Sequence, residues 1–299
     1  MAETELVLSA ISGAKLMDLE FMPQEFVVRG LLPKGLSILG GAPKIGKSWL
    51  MLELALRVAK GEPMWGMETT QGTVLYYCLE DTLKRIQQRL YCITENGPDN
   101  LLFETATGTL ATNLEEEILL YIKKHPDMSL IIIDTFQMIR NRDKDVSYAN
   151  DYQEIERLKA LADKLKITIL LVHHLRKQSD RDPLNKISGT TGISGALDTT
   201  LILDRSNRNE NNATLTCTGR DIESRELEMT FSADTHTWEM LSDSIENPEK
   251  LLPDEINRLI EFMKQTNFFV GSNTDFAEDF SSFCGKSITP SVLKKLMNK

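Results

Sequence analysis

Unbroken apolar runs alternate with amphipathic segments over the first two thirds of the chain. Counted with the polar residues that end them, the runs lie at residues 35–40, 73–81, 101–106, 129–135, 167–174 and 198–205. Short runs of this kind are typical of parallel strands that are covered on both faces. The amphipathic segments that predict helices lie at residues 49–59, 83–91, 114–124 and 155–166. The alternation predicts an α/β domain with a mostly parallel central sheet flanked by helices.

The pattern changes twice towards the C-terminal end. Residues 213–218 and 227–231 are two short β-like runs, and their spacing predicts an antiparallel extension of the sheet. Three helical patterns follow, the last with Pro290 near its first turn. They indicate either a small module of helix-turn-helix or winged-helix type, or a three-helix appendage for packing or protein interaction. The expected domains are an N-terminal arm at residues 1–34, the sheet domain at residues 35–243 and the helical module at residues 251–299.

Two polar segments interrupt the alternation. Residues 136–149 are rich in charged side chains and predict a solvent-exposed loop. Residues 175–195 are longer and contain glycines, and a loop of that length inside a compact domain usually has a function or lacks fixed structure. Basic side chains and exposed backbone N–H groups bind phosphodiester backbones without reading bases. The segment is therefore either a solvated loop or a contact with a polynucleotide or another partner, and the DNA-contact candidates are Arg176, Lys177, Arg181 and Lys186.

Charge narrows the range of partners. The chain has 34 lysines and arginines against 44 aspartates and glutamates, which gives a net charge of −10. This balance argues against a protein that binds DNA or membranes over its whole surface, although it permits a local basic lining. No apolar run is long enough to cross a bilayer, and the first residues are acidic where a signal peptide would be basic. We expect a soluble, cytoplasmic protein without a membrane partner.

Residues 41–48 fit the phosphate-binding pattern G-x-x-x-x-G-K-[ST] without a mismatch. The apolar run before them and the helical segment after them supply strand, loop and helix in the required order. Glycines let the loop aim its backbone N–H groups at phosphates, Lys47 adds a positive charge, and Ser48 can ligate Mg²⁺. The nucleotide-binding candidates are Gly41, Ala42, Pro43, Lys44, Ile45, Gly46, Lys47, Ser48 and Trp49.

Acidic side chains end two of the predicted strands. Because ligands of α/β sheets bind outside the carboxyl ends of the strands, Glu80 is a candidate base for a water molecule that attacks the γ-phosphate. Asp81 competes for that role but precedes a helical segment, which either it or Thr82 can cap. Asp134 follows four apolar residues, as does the acid that helps to hold Mg²⁺ in P-loop NTPases. The sequence therefore predicts a site for ATP and Mg²⁺.

Two further strand ends carry side chains that can act on the γ-phosphate. His173 and His174 end one strand, but adjacent strand residues point to opposite faces, which disfavours a shared metal ion. His174 is the preferred sensor of the γ-phosphate. Arg205 ends another strand, and its planar, permanently charged group suits a transferring phosphoryl group. The alternative for Arg205 is ordinary surface charge.

Together these motifs resemble those of the RecA-like ATPases, and specifically the RepA-type hexameric replicative helicases of plasmids, phages and related mobile elements. The resemblance covers about residues 26–232. It is carried by LPKGLSIL at residues 32–39 with the loop that follows, YYCLED at 76–81, IIIDT at 131–135 and VHHLRK at 172–177.

The resemblance implies roles for individual residues. It makes Lys47 and Ser48 ligands of the nucleotide and Mg²⁺, Glu80 the base that activates water, Asp134 the acid that organises Mg²⁺, and His174 the γ-phosphate sensor. Arg205 falls where the family has an arginine finger that reaches the ATP of the neighbouring subunit. The glycine-rich residues after the His-His strand match the family's DNA-facing loop.

From this resemblance we expect a ring-shaped homo-oligomer, a hexamer, that hydrolyses ATP at subunit interfaces and moves on single-stranded DNA. Its role would be replication of a mobile element, with replication-initiation proteins as further partners. Two alternatives stay open. One is a recombination, repair or regulatory ATPase that binds DNA without unwinding it. The other is a P-loop switch that does not act on DNA, which the net charge of −10 favours and the basic residues within 175–195 disfavour.

Overall fold

The structure, a computed structural model, describes residues 10–140, 148–175, 195–205, 211–246, 254–266 and 268–297. Its strands are β1 (Phe26–Val28), β2 (Leu32–Pro33), β3 (Gly35–Gly41), β4 (Thr73–Cys78), β5 (Leu101–Glu104), β6 (Met128–Asp134), β7 (Thr168–His174), β8 (Thr199–Asp204), β9 (Asn212–Gly219), β10 (Arg225–Phe231) and β11 (Trp238–Asp243). Its helices are α1 (Gly13–Met17), α2 (Lys47–Lys60), α3 (Leu83–Ile93), α4 (Leu114–Lys124), α5 (Phe136–Ile139), α6 (Tyr148–Leu165), α7 (Asp254–Thr266), α8 (Asn273–Cys284) and α9 (Pro290–Met297). No helix within these described ranges is both long and apolar enough to cross a membrane.

Nine of the strands form one sheet in the order β11-β10-β9-β8-β3-β7-β6-β4-β5. From β8 to β5 every neighbouring pair is parallel. The strands β9, β10 and β11 extend the sheet from β8 through antiparallel pairs. The predicted α/β fold, with a mostly parallel sheet, flanking helices and further helices at the C-terminal end, is therefore confirmed.

Two hydrophobic cores cover the two faces of this sheet. Because successive side chains of a strand point to opposite faces, Ile38 packs in the core with α4 and α6, whereas Leu39 packs in the core with α2. The parallel strands β3, β4 and β6 are buried along their whole length. Burial on both faces explains why these segments are apolar without alternation.

The residues before β3 divide into two parts. β1 and β2 form a hairpin, and Val27, Val28, Leu31 and Leu32 of this region are buried in the same core as α2. Residues 10–25, which include α1, are all exposed. The segment expected as an arm therefore contributes its last residues to the core of the sheet domain.

The helices α7, α8 and α9 enclose a small core of their own. Its buried side chains include Leu259, Phe262, Phe280 and Leu293. α8 begins with a capping box, in which the side chains of Ser272 and Asp275 each accept a hydrogen bond from the other residue's backbone N–H group. Pro290 is the first residue of α9, where its missing N–H group costs no helical hydrogen bond.

Three elements differ from the prediction. The segment 136–149 was expected as one loop, but it begins with α5, because Phe136 and Ile139 lie one turn apart and are both buried. α6 begins at Tyr148 instead of residue 155. β11 is an additional strand. Its pairing with β10 shifts register between Glu228 and Met229, and such a bulge interrupts the regular alternation by which a strand is recognised in a sequence.

The parallel register brings the carboxyl ends of several strands together. Gly41 at the end of β3 pairs with His174 of β7 on one side and with Leu203 of β8 on the other. Asp134 at the end of β6 pairs with Cys78 at the end of β4. Side chains at and just after these positions therefore meet along one edge of the sheet, here called the carboxyl edge.

Candidate functional site

The phosphate-binding loop joins β3 to α2 at the carboxyl edge, and it is closely confined. Gly46 has a φ of +105°, in the left-handed region, and a Cβ atom there would lie 2.9 Å from the ring of Trp238. A Cβ atom on Gly41 would lie 2.9 Å from the carbonyl oxygen of Leu203 in β8. α2 begins directly after the loop at Lys47, so its unpaired N–H groups face the loop and can bind phosphate.

Lys47 is turned back onto its own loop. Its Nζ donates hydrogen bonds to the carbonyl oxygens of Gly41 at 2.8 Å and Ala42 at 3.0 Å, and lies 3.1 Å from Nδ1 of His174. Burial lowers the pKa of Lys47 to about 8, although two nearby carboxylates act in the opposite direction. The ammonium group therefore loses its proton more readily than an ordinary lysine until a phosphate group pairs with it.

Ser48 and Asp134 lie 86 residues apart in the chain and are in direct contact. Ser48 Oγ donates a hydrogen bond of 2.8 Å to Oδ2 of Asp134, and the hydroxyl of Tyr76 donates one of 3.1 Å to the same oxygen. Burial raises the pKa of Asp134, and these two hydrogen bonds oppose the shift. A hydroxyl and a carboxylate are hard oxygen ligands of the kind that Mg²⁺ takes together with phosphates. The pair therefore fits a Mg²⁺ ion.

Glu80 stands beside this pair, just beyond the end of β4. Its Oε1 accepts a hydrogen bond of 2.9 Å from Oγ1 of Thr135, and its Oε2 lies 3.6 Å from Nε2 of His174. A cavity of about 150 Å³ opens between Ser48, Glu80 and Asp134, which is room for water. Thr135 was not identified from the sequence, although its position directly after Asp134 at a strand end is a signal that points to it.

Asp81, the acid next to Glu80, has different partners. Its carboxylate accepts hydrogen bonds from Arg85 at 2.9 Å and from Arg89 at 2.7 Å, both in α3. The N-cap of α3 is Thr82, whose side chain accepts a hydrogen bond from the backbone N–H group of Arg85. These contacts give Asp81 a structural role in fixing the start of α3.

Arg205 follows β8 and stacks on a residue that the sequence did not single out. Its guanidinium lies 5.0 Å from the ring centre of Trp238 in β11. The indole Nε1 of Trp238 in turn donates a hydrogen bond of 3.2 Å to the carbonyl oxygen of Gly46. Trp238 and Gly46 are 192 residues apart, so no local pattern could have revealed the contact.

Trp49 follows the loop within α2 and has ring partners on α3 and on the turn before β11. The guanidinium of Arg89 lies 5.4 Å from its ring centre, and the ring of His236 lies 5.2 Å from it. These contacts tie α2 to its neighbours. The part of Trp49 in nucleotide binding stays a prediction.

The remaining predicted residues divide into those that are described and those that are not. The four DNA-contact candidates, Arg176, Lys177, Arg181 and Lys186, lie outside the described residues. His173 packs near Phe136, with ring centres 6.3 Å apart, on the face opposite α2. Within the described part of the chain, no group of three or more histidine, cysteine, aspartate or glutamate side chains could hold a metal ion.

Two solved structures share the fold of this chain. The chain is similar to the ATPase domain of G40P, with a TM-score of 0.59 and 15% identity, over 70% of this chain and 85% of that chain. It is also similar to a DnaB-like replicative helicase solved together with its interactions with primase, with a TM-score of 0.58 and 14% identity, over 70% of this chain and 59% of that chain. At these identities the likeness shows the fold, which is RecA-like.

Sequence comparison adds a relative and a family. DNA repair protein RadA of Chlamydia pneumoniae is 28% identical over 181 residues, which are 60% of this chain and 34% of that protein. The chain thus spans about a third of the length of this relative. The AAA domain family, AAA_25, matches residues 2–180, a range that includes the phosphate-binding loop, Glu80, Asp134 and His174. The chain belongs to this family and is a RecA-like P-loop ATPase.

Proposed function

We propose that this ATPase is a DNA-dependent motor of the replicative helicase kind, which hydrolyses ATP at the interfaces between its subunits. The observation that carries the proposal is the meeting of Lys47, Ser48, Glu80, Asp134 and His174 along one edge of the sheet. These residues supply a cation for the phosphates, ligands for Mg²⁺, a base for water and a polar group that joins base and cation.

The phosphates would be held from two sides. Ser48 Oγ and the Asp134 carboxylate would hold a Mg²⁺ ion, which would supply positive charge for the phosphates. Lys47 exchanges the carbonyl oxygens of Gly41 and Ala42, 2.8 and 3.0 Å from its Nζ, for phosphate oxygens. The exchange is favourable because a charged acceptor forms a stronger hydrogen bond than a carbonyl group.

Glu80 is placed to accept the proton of the attacking water. Thr135 holds one carboxylate oxygen at 2.9 Å, which directs the other towards His174 at 3.6 Å. As the water oxygen bonds to the γ-phosphorus, Glu80 takes the proton and ADP leaves with the electron pair of the broken P–O bond. Since His174 also lies 3.1 Å from Lys47, it can respond to the presence of the γ-phosphate.

The arginine that stabilises the transition state would come from a neighbouring subunit. Within the described residues, the buried Nε of Arg205 has no hydrogen-bond partner, and its guanidinium stacks on Trp238 instead of bonding to the loop of its own chain. A charged fork in this state can serve an acceptor outside the subunit. Such an arginine accelerates phosphoryl transfer by roughly 10³- to 10⁵-fold, so assembly into a ring, here a hexamer, would be a condition for activity.

Single-stranded DNA is the proposed track. The basic segment with Arg176, Lys177, Arg181 and Lys186 follows directly after β7, whose last residue is His174. Movement of His174 on hydrolysis would therefore reach the DNA contacts through the chain itself. Replication of a mobile element, with replication-initiation proteins as partners, is the proposed setting.

A second candidate function is favoured by the sequence relative. DNA repair protein RadA is 28% identical over 181 residues, which supports a recombination or repair ATPase that binds DNA without unwinding it. A third candidate function is a P-loop switch that does not act on DNA, which the net charge of −10 favours.

ATP turnover with and without single-stranded DNA at low salt separates these functions, with Lys47→Ala as the inactive control. Strand displacement on a forked duplex and the mass of the assembly with ATP and DNA are measured in parallel. We expect DNA to raise turnover several-fold, ATP to drive displacement, and the mass to be that of a hexamer. DNA-stimulated turnover without displacement would support the repair reading, and turnover that ignores DNA would refute both DNA functions.

A further inference from the structure

Trp238 joins three parts of the molecule that the proposed function requires. It is 1% exposed, and its indole Nε1 donates a hydrogen bond of 3.2 Å to the carbonyl oxygen of Gly46 in the phosphate-binding loop. Its backbone N–H group donates one of 2.9 Å to Oε2 of Glu53 in α2. The guanidinium of Arg205 lies 5.0 Å from the centre of its ring. Loop, helix and arginine are thus linked through one residue.

The contact with the loop is tight enough to transmit a displacement. A Cβ atom on Gly46 would lie 2.9 Å from the ring, so the glycine backbone and the indole are already in contact. Gly46 directly precedes Lys47, in the stretch whose N–H groups surround a bound phosphate. A nucleotide that moves this part of the loop must therefore move the ring or break its hydrogen bond.

Two side chains, those of Glu53 and Trp65, hold the backbone of Trp238 in place. The carboxylate of Glu53 is buried, and Arg57 pairs with it at 3.7 Å. The carbonyl oxygen of Trp238 accepts a hydrogen bond of 2.6 Å from Nε1 of Trp65. Because the N–H and C=O groups of Trp238 are both hydrogen-bonded, a push from the loop is taken up by the ring and by Arg205, which rests on it.

Arg205 rests on the face of that ring. A cation–π contact fixes the direction of the guanidinium without neutralising its charge. In the described part of the chain its buried Nε has no hydrogen-bond partner. The N–H groups of Arg205 are therefore kept for another acceptor, and the indole decides where they point.

We propose that Trp238 is a positioning residue that couples the phosphate-binding loop of a subunit to the arginine which the same subunit offers to its neighbour. Nucleotide at one site then sets the direction of Arg205 towards the next site, so that occupancy is passed around the assembly in one direction. The inference rests on the proposed function, because it requires Arg205 to act on a neighbouring subunit.

Two inactive variants, mixed in one assembly, test this requirement first. Glu80→Gln subunits bind nucleotide without hydrolysing it and keep Arg205, and Arg205→Ala subunits keep a complete nucleotide site but lack the arginine. In mixed assemblies the first kind supplies Arg205 to the second, and we expect turnover at least tenfold above that of either variant alone. If no turnover returns, Arg205 does not act between subunits, and both the proposed interface site and the coupling fail.

Trp238→Leu is then added to the Glu80→Gln subunits, which bind nucleotide but no longer hydrolyse it. We expect the restored turnover to fall at least tenfold, because leucine removes the face beneath Arg205 while the arginine stays present. Trp238→Phe retains an aromatic face, and in the same position it should restore at least half of the turnover. If folded Glu80→Gln/Trp238→Leu subunits restore turnover fully, the coupling is refuted and the interface site stands.

Tryptophan fluorescence tests the coupling without truncating the ring. The chain has 3 tryptophans, so Trp49→Phe with Trp65→Phe leaves Trp238 as the single emitter. We expect ATP with Mg²⁺ to shift its emission, and Arg205→Ala to change the emission of the nucleotide-free protein because the stacked cation is gone. An emission that stays constant while a labelled nucleotide shows full binding would overturn the coupling, whatever the folding of Trp238→Leu.

Discussion

The two edges of the parallel sheet use polar side chains in opposite ways. The amino edge is the end of the sheet at which the parallel strands begin. There, Oδ2 of Asp198 accepts a hydrogen bond of 2.8 Å from the backbone N–H group of Leu36 and lies 2.7 Å from Nζ of Lys159. Thr168 donates a hydrogen bond of 3.0 Å to the carbonyl oxygen of Pro33. Each of these side chains bonds to a backbone group of its own domain.

At the carboxyl edge the polar groups bond to one another. Lys47 lies 3.1 Å from His174, His174 lies 3.6 Å from Glu80, and Ser48 bonds to Asp134 at 2.8 Å. Phosphate, water and Mg²⁺ can replace these partners, because each bond joins groups that also suit a nucleotide. In the proposed function, one sheet thus has a stabilising edge and a reactive edge, and changes at the two should separate turnover from stability.

Removing the base should lower turnover strongly. Glu80→Gln keeps the size of the side chain and its hydrogen bond from Thr135 but cannot take a proton. We expect ATP turnover to fall roughly 10²- to 10⁴-fold, with thermal stability and nucleotide binding close to those of the original chain. Steady-state phosphate release and a thermal melt measure the two quantities.

Asp81→Asn is the matched control, since it changes the adjacent acid in the same way. Asp81 bonds to Arg85 and Arg89 in α3 and not to the ATP-site residues. We expect turnover within about threefold of the original, because asparagine keeps an acceptor oxygen for the two arginines. A loss of turnover as large as that of Glu80→Gln would contradict the assignment of the base to Glu80.

The amino edge should show the reverse result. Asp198→Ala leaves the backbone N–H group of Leu36 without its partner in a buried place, which costs about 2–3 kcal/mol of the free energy of unfolding. Turnover per folded molecule should not change. Denaturant unfolding and active-site titration measure both. Asp163→Ala removes the other partner of Lys159. Because the Asp163 side chain is 53% exposed, its loss should lower the free energy of unfolding by less than about 1 kcal/mol.

The difference between the edges also explains how much of the site was visible in the sequence. Glu80, Asp134 and His174 were identified because each stands at or just beyond the end of an apolar run, where the parallel register brings them together. The same alternation predicted the helix at Leu114–Lys124 and the sequence in which parallel strands and helices follow one another along the chain. Because the parallel strands are buried on both faces, they are apolar throughout and can be recognised in the sequence.

The antiparallel strands are harder to recognise in the sequence. β11 is paired through a bulge, and Trp238 reaches Gly46 across 192 residues, so neither the strand nor the contact has a local pattern. Tyr76 was missed for another reason. In a strand that is buried throughout, a tyrosine looks like any core residue until the fold shows that its hydroxyl meets Asp134 at 3.1 Å.

Tyr76→Phe tests that contact and should act on Mg²⁺ alone. Without the hydroxyl, the Asp134 carboxylate loses one of the two hydrogen bonds that orient it, and changes of this kind lower metal affinity roughly 10- to 100-fold. The Mg²⁺ dependence of turnover measures the effect, with turnover expected to recover at high Mg²⁺. Tyr77→Phe is the control, because Tyr77 packs in the core on the other face of the sheet. Equal loss in both variants would show a packing defect instead.

The smallest effect should appear as a pH dependence of ATP binding. Burial lowers the pKa of Lys47 to about 8 in the free subunit, and phosphate binds the protonated form. Binding is therefore coupled to proton uptake above that pH. Affinity should be independent of Lys47 titration below pH 8 and should fall about tenfold for each further pH unit, since one proton is linked to binding.

Fluorescent nucleotide titrations between pH 7 and 9.5 (roughly the range in which one lysine of this pKa changes charge) measure the slope. Lys47→Arg is the control, because a guanidinium keeps its proton throughout this range and its profile should be flat, even where its affinity is lower. The same decline in the Lys47→Arg chain would place the titrating group elsewhere. A flat profile in the original chain would mean that Lys47 is not confined on its loop as Gly41, Ala42 and His174 indicate.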